Sequence, residues 1–190
     1  VRLTCVQDNS VTATGANFRI GSNINFYVND SSTSSDQFCS AVGNDSNSGF
    51  TPSTPKATVQ AVLDAYDLEA GDVVYVDTGT YVLTATITVG SLDGGASGNP
   101  VRIVGSTAGS GTVLNRNASA YGIQLSGSYV RVENLRVTGA SSGFYLTGTG
   151  VEARECKAYG NSSYGIYLLG SNSQAVSCEA YQNGYGVYLV

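Results

Sequence analysis

The sequence predicts an all-β chain wound into a single-stranded parallel β-helix, a solenoid of about 21–22 residues per coil with one N-terminal capping α-helix. Three observations carry that reading. Four glycines, Gly122, Gly143, Gly165 and Gly186, recur at intervals of 21, 22 and 21 residues, a fixed period that marks a stacked repeat. Apolar columns recur with them: Ile123, Phe144, Ile166 and Val187; Leu125, Leu146, Leu168 and Leu189; Val132, Ala153 and Ala175; Leu135, Cys156 and Cys178; Val137, Ala158 and Ala180. They alternate with polar or aromatic positions, so each strand buries one face. Finally, a single amphipathic helical stretch precedes the repeats.

The elements follow in order. Residues 1–70 form a strand and loop segment ending in the helix, and residues 71–190 form the coils, with an uncapped C-terminal end. VRLTCV and VTATGANFRI are strand-like. Cys5 and Cys39 flank this irregular region and are candidates for a disulfide that staples it. The helix is expected over STPKATVQAVLDAYDL, with Thr54 as N-cap, Pro55 as first helical residue, and Val59, Val62, Leu63 and Tyr66 on one stripe. It would cover the apolar end of the first coil, where strand edges are otherwise open.

Val74 and Val76 begin the first full coil, PVRIVGS and GTVLNR supply further strands, and SLDGGASGNP is a loop. In the repeats the alternation slips between Val132 and Leu135, which marks a corner between two sheets. A leucine-rich repeat of similar period would need an Asn ladder and a helical or extended return, and the repeats show neither. Charges agree with the register. Arg131 aligns with Glu152, Glu133 with Arg154, and Lys157 with Glu179, as surface pairs worth at most about 1 kcal/mol each.

Composition narrows the function. The net charge of −5, from 9 basic and 14 acidic residues, argues against a nucleic-acid surface. No apolar run approaches the roughly 18 residues of a membrane span. The absence of His removes imidazole acid–base chemistry and the commonest zinc ligand. Abundant Gly, Ser and Thr, scarce Lys and many Tyr are common among secreted β proteins, so the expected location is extracellular or cell surface.

FYVND (Phe26 to Asp30), GNDSNSGFTPSTPKATVQAVLDA (Gly43 to Ala65) and GDVVYVDTGTY (Gly71 to Tyr81) resemble the opening region of right-handed parallel β-helix proteins of the pectin-lyase-like superfamily. The similarity extends through Val190. It implies a right-handed solenoid. It implies no single activity, because the superfamily includes lyases, hydrolases, epimerases, adhesins and phage spikes. Its polysaccharide lyases hold calcium with clustered Asp or Glu and use Arg or Lys as base. The acids of these repeats are Glu133, Glu152, Glu155 and Glu179. Three of them align with a basic residue, and none stack in one column. No catalytic residue is therefore assigned.

Three weaker sites remain. Tyr145, Tyr167 and Tyr188 form an outward column, and Tyr159 and Tyr181 a second pair. Such rows either stabilise the sheet or offer aromatic faces to a sugar or a partner protein. Asp30, Asp36, Asn44, Asp45 and Asn47 place oxygens around NDSNSG. That pattern fits calcium or plain Asx turns, and no cofactor other than calcium is expected. Cys156 and Cys178 share an inward column and are expected as free thiols. Asn29, Asn44, Asn117 and Asn161 open glycosylation sequons.

The chain ends on GVYLV, so Val187 and Leu189 are expected at an open assembly edge. The partner there would be the rest of a longer chain or a second copy stacked head to tail. The expected function is a non-catalytic extracellular structural or adhesive β-helix, self-assembling into a surface filament. The alternatives are a polysaccharide lyase or glycoside hydrolase fragment, or a carbohydrate-binding module, with polysaccharide as partner.

Overall fold

A computed structural model describes residues 2–4, 12–14 and 23–190. Strands β1 (Arg2–Thr4) and β2 (Thr12–Thr14) pair antiparallel. Cys5 lies outside the described residues, and with it the proposed bridge to Cys39. The Cys39 thiol donates to the Val28 carbonyl at 3.7 Å, and burial, ahead of nearby Asp77, pushes its pKa up.

Three parallel sheets make the solenoid. The first contains β3 (Asn25–Val28), β4 (Val73–Val76), β7 (Val101–Gly105), β10 (Val130–Glu133), β13 (Glu152–Arg154) and β16 (Gln174–Val176). The second contains β5 (Gly79–Val82), β8 (Thr112–Asn115), β11 (Leu135–Thr138), β14 (Lys157–Tyr159) and β17 (Glu179–Tyr181). The third contains β6 (Ile87–Val89), β9 (Ile123–Leu125), β12 (Ser142–Leu146), β15 (Tyr164–Leu168) and β18 (Tyr185–Leu189). Each coil contributes one strand to each sheet. Strand β3, from the 1–70 segment, joins the first sheet by pairing with β4.

The register is the one read from the columns. Ile123 pairs with Phe144, Phe144 with Ile166 and Ile166 with Val187; Val132 pairs with Ala153 and Ala153 with Ala175. The inward residues of the described coils form one continuous core from Phe26 to Leu168. The slip after Val132 has a local cause. Asn134, Glu155 and Ser177 occupy one column with φ of 55°, 53° and 53°, and a left-handed residue turns the strand through the corner.

Glycine spacing has a steric cause. A Cβ on Gly122 would sit 2.8 Å from the Gly143 carbonyl, and one on Gly143 would sit 2.8 Å from the Gly165 carbonyl. Coils stacked at sheet spacing leave no room there for a side chain. A second glycine row repeats the arrangement: Gly127, Gly148 and Gly170 face the backbone carbonyls of Gly90, Gly127 and Gly148 on the preceding coil.

Two expectations are corrected. The helix is shorter: α1 spans Val59–Ala65, and its N-cap is Thr58, whose Oγ1 accepts from Ala61 N–H at 3.1 Å, not Thr54. The backbone of Lys56 is already spent on β3, donating to the Tyr27 carbonyl and accepting from Asn29 N–H. Pro55 therefore cannot open a helix. Val59, Val62 and Leu63 still cover the core end, and Tyr66 packs its ring on Phe26. The second correction concerns asparagine. Asn161 Nδ2 donates to Asn183 Oδ1 at 2.8 Å across one coil, so a short Asn ladder exists within this parallel β-helix.

Candidate functional site: a tyrosine-paved face

In-register parallel strands set like positions about 4.8 Å apart. A residue type repeated once per coil therefore becomes a row, and on the outer face of the third sheet that type is Tyr. Tyr145, Tyr167 and Tyr188 pair in register, with ring centroids 5.4 Å and 5.3 Å apart, edge to face.

Three tyrosines absent from the sequence expectation join them. Tyr121 stacks on Tyr145 at 4.2 Å, and Tyr164 meets Tyr167 at 4.7 Å and stacks on Tyr185 at 5.3 Å. Tyr164 and Tyr185 share the parity of the inward residues Ile166 and Val187, which is why alternation hid them. As the first residues of β15 and β18 they sit on the corner, where the ring meets the outer row. The third-sheet strands contain no Asp, Glu, Lys or Arg. Partial burial, then the Tyr121 hydroxyl, pushes the Tyr145 phenol above its ordinary pKa. Round the corner, Tyr159 and Tyr181 of the second sheet stack at 5.3 Å with only 5° between planes.

The first sheet carries the charges. Arg102 holds Glu133 with two bonds of 2.8 and 2.9 Å, Arg131 holds Glu152 at 2.8 Å, and Arg154 reaches Glu152 at 2.5 Å. The pairing of Arg131 with Glu152 is as aligned. Glu133, although opposite Arg154 in register, turns diagonally to Arg102, and Arg154 takes Glu152 on its own strand. Burial would raise the Glu133 pKa, but Arg102 outweighs it and holds the carboxyl below its ordinary range. Lys157 and Glu179 pair at 2.8 Å on the second sheet. Glu155 is exposed at its corner, while Glu152 is committed to two arginines.

The oxygens considered for calcium serve the chain itself. Asp30 accepts from Ser32 N–H, Asn44 from Ser46 N–H, and Asp45 from the N–H groups of Ala57 and Thr58. Asn47 donates to the Pro55 carbonyl, and Asp36 accepts from Asn29. Burial, against the Asn29 bond, raises the Asp36 pKa. Among the described residues no group of three or more His, Cys, Asp or Glu is placed to hold a metal ion.

Cys156 and Cys178 are free thiols in the inward column. Each donates to backbone carbonyls, Cys156 to Val132 and Arg154 and Cys178 to Ala153 and Val176, and burial pushes the Cys156 pKa up while the neighbouring Cys156 thiol draws that of Cys178 down. Two sequons are blocked: Asn29 and Asn161 are buried and their amides engaged. Val187 and Leu189 continue the core columns on β18 and are 53% and 69% exposed.

A family model described as the Pel9A-like right-handed β-helix region matches residues 37–185. The chain belongs to the Pel9A-like β-helix family. That membership agrees with the pectin-lyase-like resemblance and with a right-handed solenoid. No curated protein matches the sequence. A solved structure titled rhamnogalacturonan lyase is similar at 16% identity and a TM-score of 0.47. The match covers 87% of this chain but only 62% of that one. Among the described residues of this Pel9A-like chain, no helix is long and apolar enough to cross a membrane.

Proposed function

We propose that this Pel9A-like β-helix is an extracellular, non-catalytic adhesive module that binds polysaccharide on the tyrosine face of its third sheet. The contiguous surface of Tyr121, Tyr145, Tyr164, Tyr167, Tyr185 and Tyr188 supports this reading. The row combines apolar ring surface with hydroxyls, the combination that suits the C–H faces and hydroxyls of a pyranose. A rigid sheet holds the rings in place before binding, which reduces the ordering cost. The strands beneath offer no carboxylate, amine or guanidinium to move a proton, and this favours binding over turnover.

The test is glycan-array binding followed by titration. Tyr145→Ala and Tyr167→Ala each remove a central ring and should weaken binding about tenfold, with Tyr145→Phe close to wild type. Unchanged binding in both alanine variants would sink the reading. Incubation with polygalacturonate or rhamnogalacturonan, with and without calcium, should release no unsaturated ends. Sustained release would make the chain a lyase.

A further inference from the structure

The first layer of the solenoid is incomplete. Its first-sheet strand, β3, pairs with β4, but in the second and third sheets β5 and β6 are the outermost strands among the described residues. A cavity of about 320 Å³ lies against them, lined by residues 80–87 without a break, by Asp30 and Ser31 just after β3, and by Val59 and Gln60 of α1. It stands where a strand and corner following β3 would lie. We propose that this cavity takes an extended peptide of a partner protein, added as a strand to the edge of β5 with a Lys or Arg side chain at Asp30. The proposal is independent of the tyrosine face.

The edge supplies backbone groups. Gly79 and Leu83 donate to the Gly111 and Asn115 carbonyls of the next coil at 3.1 and 2.8 Å. In a parallel ladder alternate residues bond to the same neighbour. Thr80 and Val82, of the opposite parity, therefore turn their N–H and C=O groups to the open side. Such an edge is a template for strand addition. On β6 the same edge is already partly answered, because Gln60 Oε1 accepts from Thr88 N–H at 3.1 Å. A cavity that follows consecutive residues through a strand and its corner suits an extended occupant better than a compact one.

The walls set the side chain. Val59, Leu83, Ile87 and Leu114 are apolar, and the Tyr81 hydroxyl is spent on the Asp77 carbonyl at 3.1 Å. Among the residues lining the cavity, Asp30 is the one that carries a charge. Its Oδ1 accepts from Ser32 N–H at 2.7 Å. Its Oδ2 lies over Gly79, where a Cβ would collide with it, so glycine at the start of β5 leaves room for the carboxylate. Burial, then Asp30 and Asp77, push the Tyr81 phenol up, in keeping with a negative potential at this end. A Lys or Arg would lay its apolar stem on the walls and bring its charge to Asp30.

Fluorescence anisotropy tests this with the whole chain and a labelled peptide of alternating Val and Thr, blocked at both ends, with one central Lys. Glu in place of that Lys should weaken binding about tenfold. Asp30→Asn keeps an acceptor for Ser32 and should weaken the Lys peptide by about the same factor, erasing its advantage over the Glu peptide. Val82→Pro removes an outward N–H at an edge position where proline is tolerated, and should also cost about tenfold. Thermal melts confirm folding of each variant. By hydrogen exchange, the Thr80 and Val82 amides should slow when the peptide binds. Binding untouched by Val82→Pro overturns strand addition, and equal binding of the Lys and Glu peptides overturns the cation. Failure of both peptides to bind overturns the proposal outright. So does protection of Thr80 and Val82 in the free chain equal to that of Tyr81. The edge would then be covered by this chain itself, or by a second copy if the protection grows with protein concentration.

Discussion

From Asn25 to Asn115 the solenoid is tied by single buried acids, and from Tyr121 onward by rows. Asp77 is fully buried, and its carboxylate accepts from the N–H groups of Gln37, Phe38, Cys39 and Thr78 at 2.6 to 2.8 Å. Asp72 does the same for Ile24 and Glu69, and Asp93 for Leu68 and Gly90. Each acid fixes one loop and recurs nowhere. In the later coils the work is spread over columns of glycine, apolar residues, tyrosine and charge pairs. An irregular opening needs specific acceptors for unpaired backbone groups, whereas stacked identical coils satisfy one another. The first region should therefore fail at one residue, and the second should degrade by increments.

The largest expected effect is Asp77→Ala. Four N–H groups lose their acceptor, and the cost should be about 4 kcal/mol by denaturant unfolding. Hydrogen exchange at residues 37–39 should rise most. A loss below 1 kcal/mol would erase the contrast. Next comes Gly143→Ala, whose Cβ would press on the Gly165 carbonyl at 2.8 Å and cost about 2 kcal/mol. Gly98→Ala is the control: it has no neighbour within 4 Å, at φ +79°, and should cost about 1 kcal/mol from backbone strain alone. Equal costs would show that the glycine row is not steric.

The smallest effect separates the regions by pH. Glu133 has a native pKa lowered from 4.5, so its contribution is present above that value and lost as the pH falls through the lowered one. Asp93 is raised from 3.8, chiefly by burial. Its contribution is full below 3.8 and lost as the pH climbs through the raised value. Acidification through this window should loosen amides around Glu133 and tighten those around Leu68 and Gly90. Hydrogen exchange at several pH values reads both, and shifts of the same sign would refute the assignment.

The repeats were legible because period and register are properties of the chain itself. Once Gly122, Gly143 and Gly165 set the coil length, alternation dictates that Ile123, Phe144 and Ile166 face inward and Tyr145 and Tyr167 outward. The corner after Val132 was visible in the same alternation. The loop residues of the opening region obeyed no period. Thr58 caps the helix in place of Thr54 because β3 claims Lys56, a contact 28 residues away in sequence for Val28 and Lys56. Asp77 carries no local sign that it will gather four amides.

Side-chain parity along a strand is local, so the order of residues alone decided the core columns and the central tyrosine row. Which neighbours those rows acquire depends on where the chain turns and on what another segment has already bonded. Only three-dimensional packing brought Tyr121, Tyr164 and Tyr185 to the outer row and gave Glu133 to Arg102.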